Sequence, residues 1–284
     1  MQVIIISDIK GKSKSIIPYG LNLAKHLQAK VDIVHSIDSR TQHGVNSPYA
    51  DSQSITPGNK LSHEEIMRRE KNTSQKALDK LLSREASVLN FPLKVNTIIE
   101  ENTLKKIISQ IADNSHNTLV LVNSEPDNYI FHSQKELIET FNNSNLEVLV
   151  VPPGKIFREY NKVLLITDFS ANNGFDKYSK ADYLLRDFAP LINAVDVAES
   201  NNYAEKELKS KVWLQEVEKM AFSSTVKANV LTGNNYLDTV KNYVDKTKPD
   251  LVLSYKQNQG LFNNGNDNNL VKNLMNKCDL PVLY

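Results

Sequence analysis

Val163-Leu164-Leu165-Ile166-Thr167-Asp168 is a continuous apolar run, rich in branched side chains, that ends in a hydroxyl residue followed by an aspartate. Such a run reads as a strand covered on both faces. Val3-Ile4-Ile5-Ile6-Ser7-Asp8 has the same form and lies 160 residues earlier. The segments downstream of the two runs are also alike, so the chain reads as an internal repeat at the scale of a domain.

After the first run, Ile16, Ile17, Leu21, Ala24 and Leu27 predict a helix over 15–28, and residues 31–37 predict a strand. Residues 39–60 are polar and contain Gly44, Pro48, Pro57 and Gly58, the composition of a surface loop. A long helix is expected from Ser62 to Val88, with Ser62 as N-cap and Glu65 three residues on. A strand at 94–100 comes next. Leu104, Ile107, Ile108 and Ile111 then have the spacing of an amphipathic helix. A strand at 119–122, a helix near 134–143 and a strand at 148–151 close the first copy.

The second copy repeats this order. Strands are expected near 162–167, 191–197, 225–231, 250–254 and 280–284, and helices near 174–188, 204–221, 236–246 and 268–277. Pro152-Pro153-Gly154 separates the copies. The expected architecture is two tandem doubly wound α/β domains, residues 1–153 and 154–284. Each holds a five-stranded parallel sheet flanked by helices. A ligand crevice belongs at the carboxyl ends of the strands, with Asp8 or Asp168 at its mouth.

Composition narrows the function. The 284 residues are 40% hydrophobic and 24% charged, with a formal net charge of +1. That balance gives no electrostatic reason to expect a nucleic-acid or membrane partner. The single cysteine, Cys278, excludes an internal disulfide, suits a reducing compartment, and is expected to be a small core residue. No stretch reads as a signal peptide or approaches the length of a membrane helix, so a cytoplasmic location is expected.

Lys162 to Ser170 resembles the opening strand and loop of the universal stress proteins. His35-Ser36-Ile37-Asp38 resembles that family's second strand, and Leu146 to Pro152 and Asp279 to Leu283 resemble its last. The resemblance spans nearly the whole chain, twice. It implies a nucleotide-binding fold whose ATP-binding members carry three glycines and a Ser/Thr after the fourth strand. Glycine there lets backbone amides close on phosphate. In the second copy Tyr255, Asn258 and Asn268 stand on the glycine positions and Asn269 on the hydroxyl. In the first copy Asn123, Pro126 and Gln134 stand there, with Lys135 on the hydroxyl. Tyrosine and proline do not permit the same approach, and proline has no amide to donate. Asp8 and Asp168 align with a nucleoside-contacting aspartate, but with the phosphate loop altered a turn or capping role is the favoured reading. Ser36 and Val197 align with a position lining the adenine pocket. Val148, Val150 and Val282 lie on last strands, through which family members dimerise; a tandem chain could pair them internally as a pseudo-dimer, or form a homodimer.

Other motifs are weak. Gly11-Lys12-Ser13 copies the tail of a phosphate loop, but Ile6 stands where its first glycine belongs. Gly260 and Gly265 are out of register and read as turn residues. Histidines 26, 35, 43, 63, 116 and 132 form no metal-binding pair. His35 reads as a hydrogen-bonded core or crevice residue, Glu64-Glu65 and Glu100-Glu101 as surface, and Trp213 and Met220 as core.

The expectation is a non-catalytic stress-response protein with lost or altered nucleotide sites and no cofactor, acting by binding a protein or small ligand. The alternative is a switch or weak ATPase that holds ATP or AMP through a loop without glycines, with Lys10, Lys12, Lys256 and Asn258 reaching phosphate. An enzyme on this scaffold ranks third, because no nucleophile–base or metal constellation is visible.

Overall fold

The computed structural model describes residues 1–7, 9, 12–37, 63–89, 94–101, 104–114, 117–125, 146–169, 181–182, 184–220, 224–254 and 278–283. They form two compact units. One comprises Met1–Leu146 with Pro153–Lys155, the other Glu147–Pro152 with Ile156–Tyr284.

The first unit contains β1 (Gln2–Ile6), α1 (Ile16–His26), β2 (Lys30–Ser36), α2 (His63–Leu89), β3 (Val95–Glu100), α3 (Leu104–Asn114) and β4 (Thr118–Asn123). Its strands run parallel in the order β3-β2-β1-β4. Val3, Ile5, Val31, Ile33, Leu119, Val120 and Leu121 are fully enclosed, which explains why these strands read as unbroken apolar runs. Alternate residues serve opposite faces. Ile5 packs against Gly20 of α1, while Ile4 and Val34 face α3. The sheet is therefore covered on both sides.

The second unit contains β5 (Glu147–Val151), β6 (Lys162–Ile166), β7 (Leu191–Ala198), α4 (Tyr203–Lys219), β8 (Thr225–Thr232), α5 (Tyr236–Thr247), β9 (Leu251–Ser254) and β10 (Val282–Leu283). Strands β10-β9-β6-β7-β8 are parallel, and β5 joins β10 in the antiparallel sense. The order β8-β7-β6-β9 repeats β3-β2-β1-β4 strand for strand. At the amino ends of β6 and β9, the Asp250 carboxylate accepts the amides of Asn161 (3.0 Å) and Lys162 (2.9 Å). Val240 and Val244 form the buried stripe of α5, as their spacing predicts.

The expected α/β fold is present, with its mostly parallel sheet and flanking helices. Three side chains depart from their sequence reading. Met220 is 47% exposed: it is the C-cap of α4, beyond the last turn that buries Val217. Cys278 is half-buried. Glu100 is also half-buried, because its register opposite Ser36 turns it onto a covered face of the sheet. The expected loop 39–60 and the helices near 134–143 and 268–277 lie outside the described residues, as does most of 174–188. No helix among the described residues is long and apolar enough to cross a membrane.

Candidate functional site at the carboxyl ends of the strands

In a parallel sheet the carboxyl strand ends carry the loops that can form a site. In the first unit the Ser7 amide donates to the Val34 carbonyl at 3.1 Å, which fixes the exit of β1 beside β2. His35 is buried, and its Nδ1 lies 3.1 Å from the Ser7 carbonyl oxygen. A carbonyl only accepts, so Nδ1 carries the proton in this contact. Ser36 is buried next to it, opposite Glu100. Asn123 ends β4. Its Oδ1 accepts the Glu125 amide at 2.9 Å, a side-chain turn, while its buried Nδ2 has no hydrogen-bond partner.

The second unit repeats this frame with different chemistry. The Thr167 amide donates to the Val195 carbonyl at 3.0 Å. Thr167 Oγ1 accepts the Phe169 amide at 3.3 Å, which turns the chain so that Phe169 has φ 55° and packs against Trp213, ring centroids 5.4 Å apart. Val197 is buried on β7 opposite Leu231.

The most distinctive feature of this end is an ion pair that sequence reading missed. Asp196, 1% exposed, lies 2.9 Å from Lys206 Nζ of α4. Lys206 also donates to the Val197 carbonyl at 2.6 Å, and the Val197 amide donates to Asp196 Oδ1 at 2.8 Å. The lysine thus staples the start of α4 to the end of β7. Burial pushes the Asp196 carboxyl above the ordinary carboxylate range. The hydrogen bond and charge of Lys206 oppose that, as does the Val197 amide, while the negative charge of Asp168 adds to it. The signal in the sequence was an aspartate between apolar strand residues, Val195-Asp196-Val197, which is expensive to bury without a nearby cation.

Solved structures with the same architecture exist. The chain is similar to a universal stress protein from Archaeoglobus fulgidus DSM 4304, with a TM-score of 0.67 and 10% identity over 99% of this chain and 97% of that one. The fold is that of the universal stress proteins. The chain is also similar to a functionally unknown protein from Pseudomonas aeruginosa PAO1 (TM-score 0.56, 12% identity, 99% of this chain and 91% of that one). A third likeness is to the cytoplasmic domain of a prokaryotic cation chloride cotransporter (TM-score 0.54, 11% identity, 99% and 93%). No family model and no curated protein matches the sequence.

Within the universal stress fold, Ser36, Asn123, Asp168 and Val197 stand at carboxyl strand ends. Asn123 is close to Ser7 in register, since Ile5 pairs with Leu121. Asp168 is half-buried and near enough to Asp196 for their charges to interact. Asp8, Tyr255, Asn258, Asn268 and Asn269 lie outside the described residues, as do Lys10, Lys256, Gly260 and Gly265. Val150 stands directly opposite Val282 and Leu149 opposite Leu283, so the last-strand residues come together as an antiparallel pair; Val148 is buried on the same strand. No group of His, Cys, Asp and Glu among the described residues could hold a metal ion.

Proposed function

We propose that this chain is a non-catalytic stress-response protein built from two tandem units of the universal stress type. It acts by binding a protein partner or small ligand at the carboxyl strand ends rather than by turning over nucleotide. The observation that carries this reading is the Asp196–Lys206 pair. It puts a buried carboxylate at the end of β7 and engages the nearest lysine with that carboxylate and a backbone carbonyl. The pair is neutral overall, so it brings no net positive charge to receive phosphate, and a lysine so committed is not free to supply one. Asn123 supports the same reading: its side chain closes a turn where the phosphate-binding relatives have glycine.

One observation favours a second reading. The buried, unpartnered Nδ2 of Asn123 is a donor at the first position of the altered loop, and an adenine nucleotide could use it. Calorimetric titration with ATP and with AMP, with and without Mg²⁺, separates the two. No heat and no shift in melting temperature supports the non-nucleotide protein. A dissociation constant of about 1 μM, roughly −8 kcal/mol, would instead make it an adenine-nucleotide switch.

A further inference from the structure

Helix α4 is apolar on two opposite sides. Trp213 and Val217 are buried on the side that packs on β8 and β7. Leu208 and Val212 are 64% and 52% exposed. Successive helical residues are about 100° apart, which sets Leu208 about 180° from Val217. Ala204 and Val212 stand one turn to either side of Leu208, and both are exposed. The three form a continuous outer stripe rather than scattered surface positions. The inner side already holds the helix on its sheet, so the fold of this chain does not account for the outer one.

Charge borders the stripe in a self-complementary order. On one flank Glu205 pairs with Lys209 at 2.7 Å, and on the other Glu207 pairs with Lys211 at 2.8 Å. On both flanks the glutamate precedes Leu208 and the lysine follows it. A two-fold axis through Leu208 would bring two such helices together antiparallel. Residues equally far before and after Leu208 then stand level, so Ala204 of one copy faces Val212 of the other, a small side chain beside a branched one. Each flank meets the same flank of the second copy. At a rise of about 1.5 Å per residue, Glu205 comes within about 3 Å along the axis of the second copy's Lys209, and Glu207 equally near its Lys211. Parallel pairing would instead set Glu205 beside Glu207 and Lys209 beside Lys211, which repel.

We infer that the outer face of α4 is the docking surface for a second copy of this chain, bound antiparallel about a two-fold axis through Leu208. The apolar seam supplies the attraction, and the flanking charges fix the orientation more than they add affinity. One helix face is small for an interface, so the dimer is weak and concentration-dependent, with a dissociation constant on the order of 100 μM. Docking here is independent of what the strand-end crevice binds.

The test is sedimentation equilibrium of the full chain from about 10 μM to about 1 mM. The average mass should rise from one chain towards two. Leu208→Glu should weaken association by about tenfold or more, with an unchanged melting temperature because the side chain is exposed. Cysteine cross-linking in a Cys278→Ala background reads the orientation. Chains carrying Ala204→Cys, mixed with chains carrying Val212→Cys, should form a disulfide between the two kinds. Ala204→Cys alone should not, because an antiparallel pair holds its two copies about 12 Å apart along the axis, beyond disulfide reach. A monomer throughout the concentration range overturns the inference. So does association that Leu208→Glu leaves unchanged, or Ala204→Cys linking to itself more readily than to Val212→Cys.

Discussion

His35 and Asp196 occupy the same register position in the two units. Each comes directly after the residue, Val34 or Val195, whose carbonyl receives the first amide beyond the central strand, from Ser7 or Thr167. One backbone frame therefore holds an imidazole in one unit and a carboxylate in the other. The imidazole is served by a backbone carbonyl. The carboxylate requires a cation, and Lys206 supplies it.

Lys206→Met should expose that requirement. It leaves a buried carboxylate unpaired and should cost about 3 kcal/mol near neutral pH. The raised Asp196 pKa sets the sign of the pH dependence. Between its ordinary value of 3.8 and the folded value, the folded state holds a proton that the unfolded state has lost, so stability falls as pH rises through that window. Removing the lysine raises the folded value further and widens the window. Urea denaturation across a pH series should show Lys206→Met closest to the parent in acid, and adding Asp196→Asn should flatten the difference.

Phe169 predicts an inversion of the usual glycine rule. It is 3% exposed, packs on Trp213, and has φ 55°. Phe169→Ala should cost about 3–5 kcal/mol through the cavity it leaves. Phe169→Gly should cost about 1 kcal/mol less than Phe169→Ala, because glycine has no Cβ to strain at positive φ. Chemical denaturation of the two variants side by side checks the order.

Gly20 lies inside α1, where alanine normally stabilises by up to about 1 kcal/mol. Here an added Cβ would meet Ile5 Cγ1 at 2.7 Å and Leu121 Cδ2 at 3.2 Å, with Ile5 Cδ1 closer still. Crowding of that kind costs about 1–3 kcal/mol and outweighs the helix gain. Gly20→Ala should therefore lower the melting temperature, and Gly20→Val should lower it further.

Leu149 and Leu283 face each other across β5 and β10. Each substitution to alanine should cost about 2–5 kcal/mol. The double variant should cost less than the sum by about 0.5–1 kcal/mol, because the two lose one shared contact. Additive costs in a denaturation cycle would mean that the pair does not act as a unit.

Trp213 is the chain's single tryptophan and is 1% exposed. Its emission should be blue-shifted and poorly quenched by acrylamide until the second unit unfolds. A red-shifted, readily quenched signal under native conditions would contradict its packing against Phe169.

The sequence by itself determined the strands and their repetition. Runs such as Val163 to Ile166 and Val3 to Ile6 bury both faces of a parallel strand, and that demand leaves only apolar residues in a continuous string. Helical spacing likewise placed α5 through Val240 and Val244. Burial of Trp213 was legible in the local pattern; exposure of Met220 was not, because the end of α4 decides it. Only the tertiary structure decided which charges meet. Asp196 and Lys206 are ten residues apart and on different elements, and the fold of β7 onto α4 brings them to 2.9 Å. Glu100 lies opposite Ser36 because β2 and β3 pair in one register, and a shift of one residue would turn Glu100 to the opposite face. Periodicity reports which side of an element is buried. Register and helix docking fix what each buried group touches, and those depend on residues distant in the chain.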